Sequence, residues 1–215
     1  MKKKETPYLF VLILLASIIW LNSCVGTSSS PSVAGFMNPK NELTFGRNTV
    51  KYGKLAHKDG YLENSTSRDL MSFYSSDFNH FKWGVDINFT DVKGTLGASN
   101  EHFGALVWAG LPNFDKIDFN YGGALVAQHY MVSKETTVRV GIYPFFQKLH
   151  IFKHREEPQI EPVELRSIYE TGIAAYFSMA VTEKLGISID NKVSRRAKTH
   201  ERIRQIGATT YYQWK

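Results

Sequence analysis

Cysteine is almost missing from this chain: Cys24 stands alone among 215 residues. A single thiol excludes an internal disulfide and any cysteine-built metal cluster. The sequence also contains no glycine-rich phosphate loop and no dinucleotide fingerprint. Long apolar runs are missing beyond residue 21, and mean hydropathy is −0.26. That is too polar for a bundle of spanning helices but ordinary for a β-barrel, in which only every other residue faces lipid. Charge is only mildly one-sided, with 26 Lys+Arg against 20 Asp+Glu. This is not a nucleic-acid footprint, and no nucleic-acid partner is expected.

What is present begins at the N-terminus. Lys2, Lys3 and Lys4 precede an apolar run from Tyr8 to Leu21, closed by Asn22-Ser23-Cys24. A basic start, a short apolar core and small residues at its end describe a secretory signal. A spanning helix needs roughly 20 apolar residues. Leu21-Asn22-Ser23-Cys24 resembles the lipobox of bacterial lipoproteins. The resemblance implies that Cys24 is lipidated and becomes the first residue of the mature protein, and that the lipoprotein-processing machinery is a partner. Val25 and Gly26 are not acidic, which in enteric lipoproteins goes with the outer membrane. Residues Gly26–Asn41 are rich in Ser, Gly and Pro and read as a flexible tether. The expected organisation is therefore a signal peptide over 1–23, a lipidated N-terminus and tether over 24–41, and a β domain over 42–215. Removing Met1–Ser23 takes away three Lys and one Glu, so the mature charge is 23 − 19 = +4.

The second feature is alternation. In Phe81–Val92, residues Phe81, Trp83, Val85, Ile87 and Phe89 fall on one side; Lys82, Gly84, Asp86, Asn88 and Thr90 fall on the other. This is the period of a strand, sustained at the length of a tilted membrane strand. The same pattern recurs around Tyr121, Val140, Phe177, Ile187 and Tyr212. It predicts eight strands, over 43–55, 80–92, 102–110, 116–132, 136–149, 163–182, 184–195 and 201–214. In the first, Leu43, Phe45, Val50 and Tyr52 do not hold one parity, which predicts either a bulge or a misplaced start. Connections 56–79 and 150–162 are long and would lie outside. Short ones at Val132–Glu135 and Thr182–Lys184 would lie on the periplasmic side, together with both chain ends.

This arrangement resembles the small eight-stranded outer-membrane β-barrels, whose last strand ends in an aromatic read by the barrel-assembly machinery; Tyr212 and Trp214 supply it here. The resemblance implies an all-β, antiparallel up-and-down barrel in the outer membrane of a Gram-negative bacterium. Its apolar sides would face lipid. Lys82, Asp86, Asp118, Arg139, Arg166, Glu170, Asp190 and Lys192 would then point inward and form a paired polar network, since an unpaired buried charge is costly. Parity names two faces without saying which is inside. A soluble, lipocalin-like barrel hung from the same lipid would turn the apolar side inward to hold a ligand.

Catalytic signals are thin. Ser75, Ser76, Asp77 and His80 imitate the polar set of palmitoyl-transferring barrels in what reads as an outer loop. His150 and His154 are four residues apart in a charged loop. Neither pattern rises above chance, so no enzyme activity, cofactor or metal is expected. Basic residues beside the last connection, Arg195, Arg196 and Lys198, are candidates for contact with lipopolysaccharide phosphates. The expected role is structural or interactive, through the outer loops. A lipid-binding soluble barrel is the alternative, and a lipid A-modifying barrel enzyme a third reading.

Overall fold

Alternation in the sequence becomes alternation in burial. Along Leu185–Arg196, every even-numbered side chain from Gly186 to Arg196 is buried and the odd ones are exposed or half-exposed. The same two-residue period runs through Phe81–Asn88, Asp91–Ser99 and Arg202–Trp214. The computed structural model describes residues 30–57, 60–76, 81–88, 91–112, 119–132, 136–152, 165–197 and 202–214.

Among these, ten antiparallel strands close into one barrel: β1 (Asn41–His57), β2 (Gly60–Tyr74), β3 (Phe81–Asn88), β4 (Asp91–Ser99), β5 (Phe103–Pro112), β6 (Asn120–Val132), β7 (Thr137–Phe152), β8 (Leu165–Ala180), β9 (Leu185–Arg196) and β10 (Arg202–Trp214). Each strand pairs with its sequence neighbours, and β1 closes on β10 with Asn41 opposite Trp214. Closure removes every sheet edge. The start of β1 and the end of β10 share one end of the barrel, here the terminal end, with the ends of β2, β4, β6 and β8 and the starts of β3, β5, β7 and β9. The ends of β1, β3, β5, β7 and β9 and the starts of β2, β4, β6, β8 and β10 lie at the far end.

The strand number corrects the expectation of eight. Two stretches read as connections, 56–79 and 93–101, are largely strand. β4 alternates, but its outward side is Val92, Gly94, Leu96 and Ala98, and small residues hide the period. β2 is polar over Glu63–Asp69, with apolar residues gathered at Leu70–Tyr74. The apparent strand 80–92 is in fact a hairpin. Asn88 accepts a bond from the Asp91 amide at 2.7 Å, an Asx-type turn that restarts the alternation. As a result the end of β2 and the start of β3 lie at the terminal end.

The bulge in β1 is present. Pairing with β10 shifts between Phe45 and Asn48, and Gly46 has φ 64°. Glycine adopts that conformation at little cost. The inward side passes from Glu42 and Thr44 to Arg47 and Thr49. Between β6 and β7 the register holds but the pairing lapses. Pairs resume at Ala127↔Ile142 after Ala124↔Phe145, a gap that includes Pro144, which has no N–H to give.

Inside, aromatic rings lie over glycines of the neighbouring strand. Tyr176 is partnered with Gly141, Tyr211 with Gly186, Tyr74 with Gly84 and Trp108 with Gly122. A Cβ on any of these glycines would strike the ring across from it. The small residues therefore make room for large ones, which fill a barrel wider than eight strands would enclose.

Candidate functional site: a luminal network around an N-terminal plug

Residues 24–41 do not form a free tether over their described part. Ser30–Asn38 is buried in the barrel, with Phe36 fully enclosed and Val33, Ala34 and Met37 nearly so. The segment contains a one-turn helix, α1 (Val33–Phe36), capped by the Ser32 hydroxyl, which accepts from the Gly35 amide at 3.2 Å. Four apolar residues within VAGFM are the reason. They gain by burial in a lumen too wide for wall side chains alone, next to Leu106, Trp108, Val126 and Tyr176.

Within this short helix the Val33 and Gly35 carbonyls accept from the Met37 and Asn38 amides, which leaves those of Ala34 and Phe36 without backbone partners. The wall supplies them. Arg139 Nη1 donates to the Ala34 carbonyl at 2.7 Å. Lys82 Nζ donates to the Phe36 carbonyl at 3.0 Å and also to that of Asn38. Gln128 Nε2 reaches the Met37 carbonyl at 3.3 Å, and Arg47 Nη1 the Ser30 carbonyl at 2.7 Å. The two cations at the C-terminal end of α1 also sit where the helix dipole favours them. On the donor side, the Ser32 amide gives its hydrogen to the Tyr74 hydroxyl at 2.7 Å, and that hydroxyl donates to Asp86 Oδ1 at 2.6 Å.

Carboxylates balance the cations. Glu42 Oε2 lies 3.4 Å from Arg139 Nη2 and accepts from Asn38 Nδ2 at 2.7 Å. Asp190 lies between Arg47, at 3.1 Å, and Lys192, at 3.7 Å; Lys192 also donates to the Ser30 hydroxyl. A separate group stands at the far end. Asp91 takes Lys93 at 2.6 Å and Asn120 Nδ2 at 2.5 Å, all three almost fully enclosed. Glu170 accepts from Gln147 Nε2 at 2.8 Å and from the Ser194 hydroxyl at 3.4 Å.

Six of the eight residues expected inside are buried there: Lys82, Asp86, Arg139, Glu170, Asp190 and Lys192. Asp118 and the side chain of Arg166 lie outside the described residues, as do Cys24 and Lys198. Asp190 and Lys192 meet directly. Lys82, Asp86, Arg139 and Glu170 instead engage the plug or residues that sequence reasoning did not single out, Glu42, Tyr74, Gln147 and Ser178 among them. Asp91 and Lys93 carry the polar parity of a strand that the unbroken reading of 80–92 concealed.

Three further expectations need revision. Arg195 is exposed on the outward side, but Arg196 is buried on the inward side, so it cannot join Arg195 in one outward contact. Ser75 is buried, and Ser76 donates to Asn41 Oδ1 from its amide at 2.9 Å and from its hydroxyl at 3.3 Å. Both lie at the terminal end, not in an outer loop; Asp77 and His80 are outside the described residues. Most consequentially, the apolar strand sides face out: Phe103 and Leu125 are each 65% exposed, Val107 and Ile173 each 59%. The lumen holds the charged side chains, and its apolar cluster is filled by the plug, where a lipocalin-like barrel would turn its apolar strand sides inward.

No family model and no curated protein matches this sequence. Among solved structures, the crystal structure of Neisserial surface protein A (NspA) is similar, with a TM-score of 0.42 and 9% identity, covering 81% of this chain and 97% of that one.

Proposed function

We propose that this chain is a non-enzymatic β-barrel lipoprotein of the outer membrane of a Gram-negative bacterium, with a structural or interaction role at its far end. The observation that carries the reading is the orientation of the wall. Large apolar side chains cover the outside of every strand from β3 to β9, and charged ones are enclosed with partners. In water that outside would be a continuous apolar patch far beyond what a soluble monomer shows. In a bilayer it is the expected surface.

Aromatic residues support the placement. At the terminal end, Phe73 stacks near Trp83 at 5.1 Å and Trp214 at 5.9 Å, and Tyr212 near Trp214 at 5.8 Å. Toward the far end, Tyr121 and Tyr169 face outward, and Lys148 stands 5.8 Å from the Tyr121 ring. Two aromatic belts are what membrane interfaces select. The far end would be the outer surface, the terminal end periplasmic. Lipidation at Cys24 adds a second attachment. Its partners are outer-membrane lipids, the barrel-assembly machinery and the lipoprotein-processing machinery.

Lipopolysaccharide phosphate is the proposed outer contact. Arg195 and Arg202 are cross-strand partners, both exposed, and Arg204 follows on the same side. Like charges set opposite one another repel, and a bound phosphate removes the repulsion. Lys198 lies in the same connection. Replacing Arg195 and Arg202 with Ser should reduce lipopolysaccharide retained in mild detergent; unchanged retention refutes the contact.

The membrane reading is tested on the full chain expressed in a Gram-negative host. The outer-membrane fraction should contain a band that migrates differently boiled and unboiled, and it should resist a high-pH wash. A Leu125→Arg variant, changed in the middle of the outward side of β6, should lose about 2–4 kcal/mol of stability, the cost of Arg near a bilayer midplane. A Cys24→Ala chain that is released by the wash, with Leu125→Arg harmless, would mean a tethered soluble domain instead.

A further inference from the structure

The wall between β4 and β5 is thin at its terminal end. Gly97 pairs with Leu106, Ala98 with Ala105 and Ser99 with Gly104. Ala98 and Ala105 face outward. Behind them the plug takes the space that the two glycines leave: a Cβ on Gly97 would lie 2.9 Å from the Phe36 ring, and one on Gly104 3.2 Å from Met37 Cε. Two strands further on, the pairing of β6 with β7 lapses beside Pro144. The outside of the wall therefore carries a groove. One part, of about 450 Å³, lies between Ala98, Phe103 and Leu125. The other, of about 420 Å³, continues past Ala127 and Ile142 to Pro144 and Ile173. Phe103, Leu125 and Val126 line both parts, so the two are continuous.

The groove climbs the wall. Phe103 is the first residue of β5. Counted from the terminal end, Ala127 is sixth in β6 and Ile142 sixth in β7; Leu125, Pro144 and Ile173 are each eighth, in β6, β7 and β8. Seven residue steps along a strand tilted by about 40° rise about 18 Å. One half of a hydrocarbon core is about 15 Å deep. The groove thus runs from the terminal edge of the wall to near its middle, the depth of one leaflet. Polarity follows the climb. Ser99 and Asn100 line the lower end, next to the exposed Glu101 and His102, and from Phe103 upward the lining is apolar. A concave apolar lane with polar groups at one end suits a small amphiphile. A second barrel is convex; it would rest on Phe103, Leu125 and Ile173 and leave the floor of the groove uncovered.

We propose that this groove is a binding site for one acyl chain of a phospholipid in the terminal-side leaflet. The headgroup lies by Ser99 and Asn100, and the tail runs over Ala105 and Ala127 to end against Pro144 and Ile173. The bound chain covers the thin seam from outside, as Phe36 and Met37 cover it from within.

The proposal rests on the outer-membrane reading, and the experiment separates the two. The full chain is folded into phosphocholine vesicles, extracted into a mild detergent and washed. Phospholipid retained per barrel is measured as organic phosphorus, of which a lipid on Cys24 carries none. The boiled and unboiled mobility difference checks folding. The parent should retain a single phospholipid per barrel. Ala105→Phe combined with Ala127→Phe fills the groove with outward rings and should lower retention by at least about tenfold. Ala109→Phe, outward on β5 but beyond the groove, should leave retention unchanged. A parent that retains none, a filled groove that retains as much as the parent, or an Ala109→Phe chain that loses as much as the filled one overturns the site. So does a native mass of two chains that the filled groove reduces to one, which assigns the groove to a second copy. A chain that does not enter the vesicles overturns the membrane reading itself, and the site with it. Should the paired variant fail the mobility check, Leu125→Ala with Ile142→Ala lowers the sides of the groove and repeats the comparison with the same outcomes.

Discussion

Arg139 offers the sharpest test of the luminal network. Its guanidinium donates to the Ala34 carbonyl at 2.7 Å and to the Ser178 hydroxyl at 2.8 Å, pairs with Glu42 at 3.4 Å and lies 5.7 Å from the centre of the Tyr211 ring. Arg139 and Glu42 are each 1% exposed. Arg139→Met keeps much of the volume and removes the charge. The Ala34 carbonyl then loses its charge-assisted bond, worth about 1.5–3 kcal/mol. Glu42 remains buried with the Asn38 amide but without its cation, and breaking a buried pair from one side costs about 3–5 kcal/mol in all. That is two to three and a half orders of magnitude in the folding constant, roughly. Denaturant unfolding in phosphocholine vesicles, followed by tryptophan fluorescence, reads the loss directly. The second arm is Arg139→Met combined with Glu42→Gln, which leaves no unpaired charge and should recover at least about 1 kcal/mol of the loss. A single variant within about 1 kcal/mol of the parent, or a double variant no better than the single, would refute the assignment of Arg139 as the plug's principal clamp.

Other consequences follow from the packing. Gly141→Ala should destabilise by about 1–3 kcal/mol, because the new methyl meets the Tyr176 ring. Adding Tyr176→Ala should restore part of that loss, a coupling that a double-variant cycle measures. Deleting Ser30–Asn38 empties a lumen lined by Arg47, Lys82, Arg139 and their carboxylates, so planar bilayers should show conductance steps that the full chain lacks; a deletion variant that folds and stays silent would mean the wall side chains close the lumen unaided. Tyr74→Phe removes the hydroxyl that joins Ser32 to Asp86 and should cost about 1–3 kcal/mol in the same unfolding assay.

The sequence by itself determined the two-sidedness of the wall. A two-residue period leaves no choice about which residues share a face, so Lys82, Asp86, Arg139, Glu170, Asp190 and Lys192 were identifiable as one set before any coordinates. Seven of the ten strands, from β1 and β5 through β10, were placed to within a few residues, and the lost parity in β1, open between a bulge and a misplaced start, is a bulge at Gly46. The tertiary structure decided what periodicity cannot express. Which face is inside depends on closure, because a strand has two faces and only its neighbours assign them. The strand number depended on β2 and β4, whose outward sides are too polar or too small to register as apolar alternation. The plug depended on volume: VAGFM is unremarkable within a Ser- and Pro-rich stretch until a ten-stranded lumen offers it a place. The pairing of charges followed from the same closure, since Arg139 meets Glu42 across 97 residues and Arg47 meets Asp190 across 143. No local pattern encodes a contact at that separation; it exists only when β1 has closed on β10 and the N-terminal segment has been enclosed.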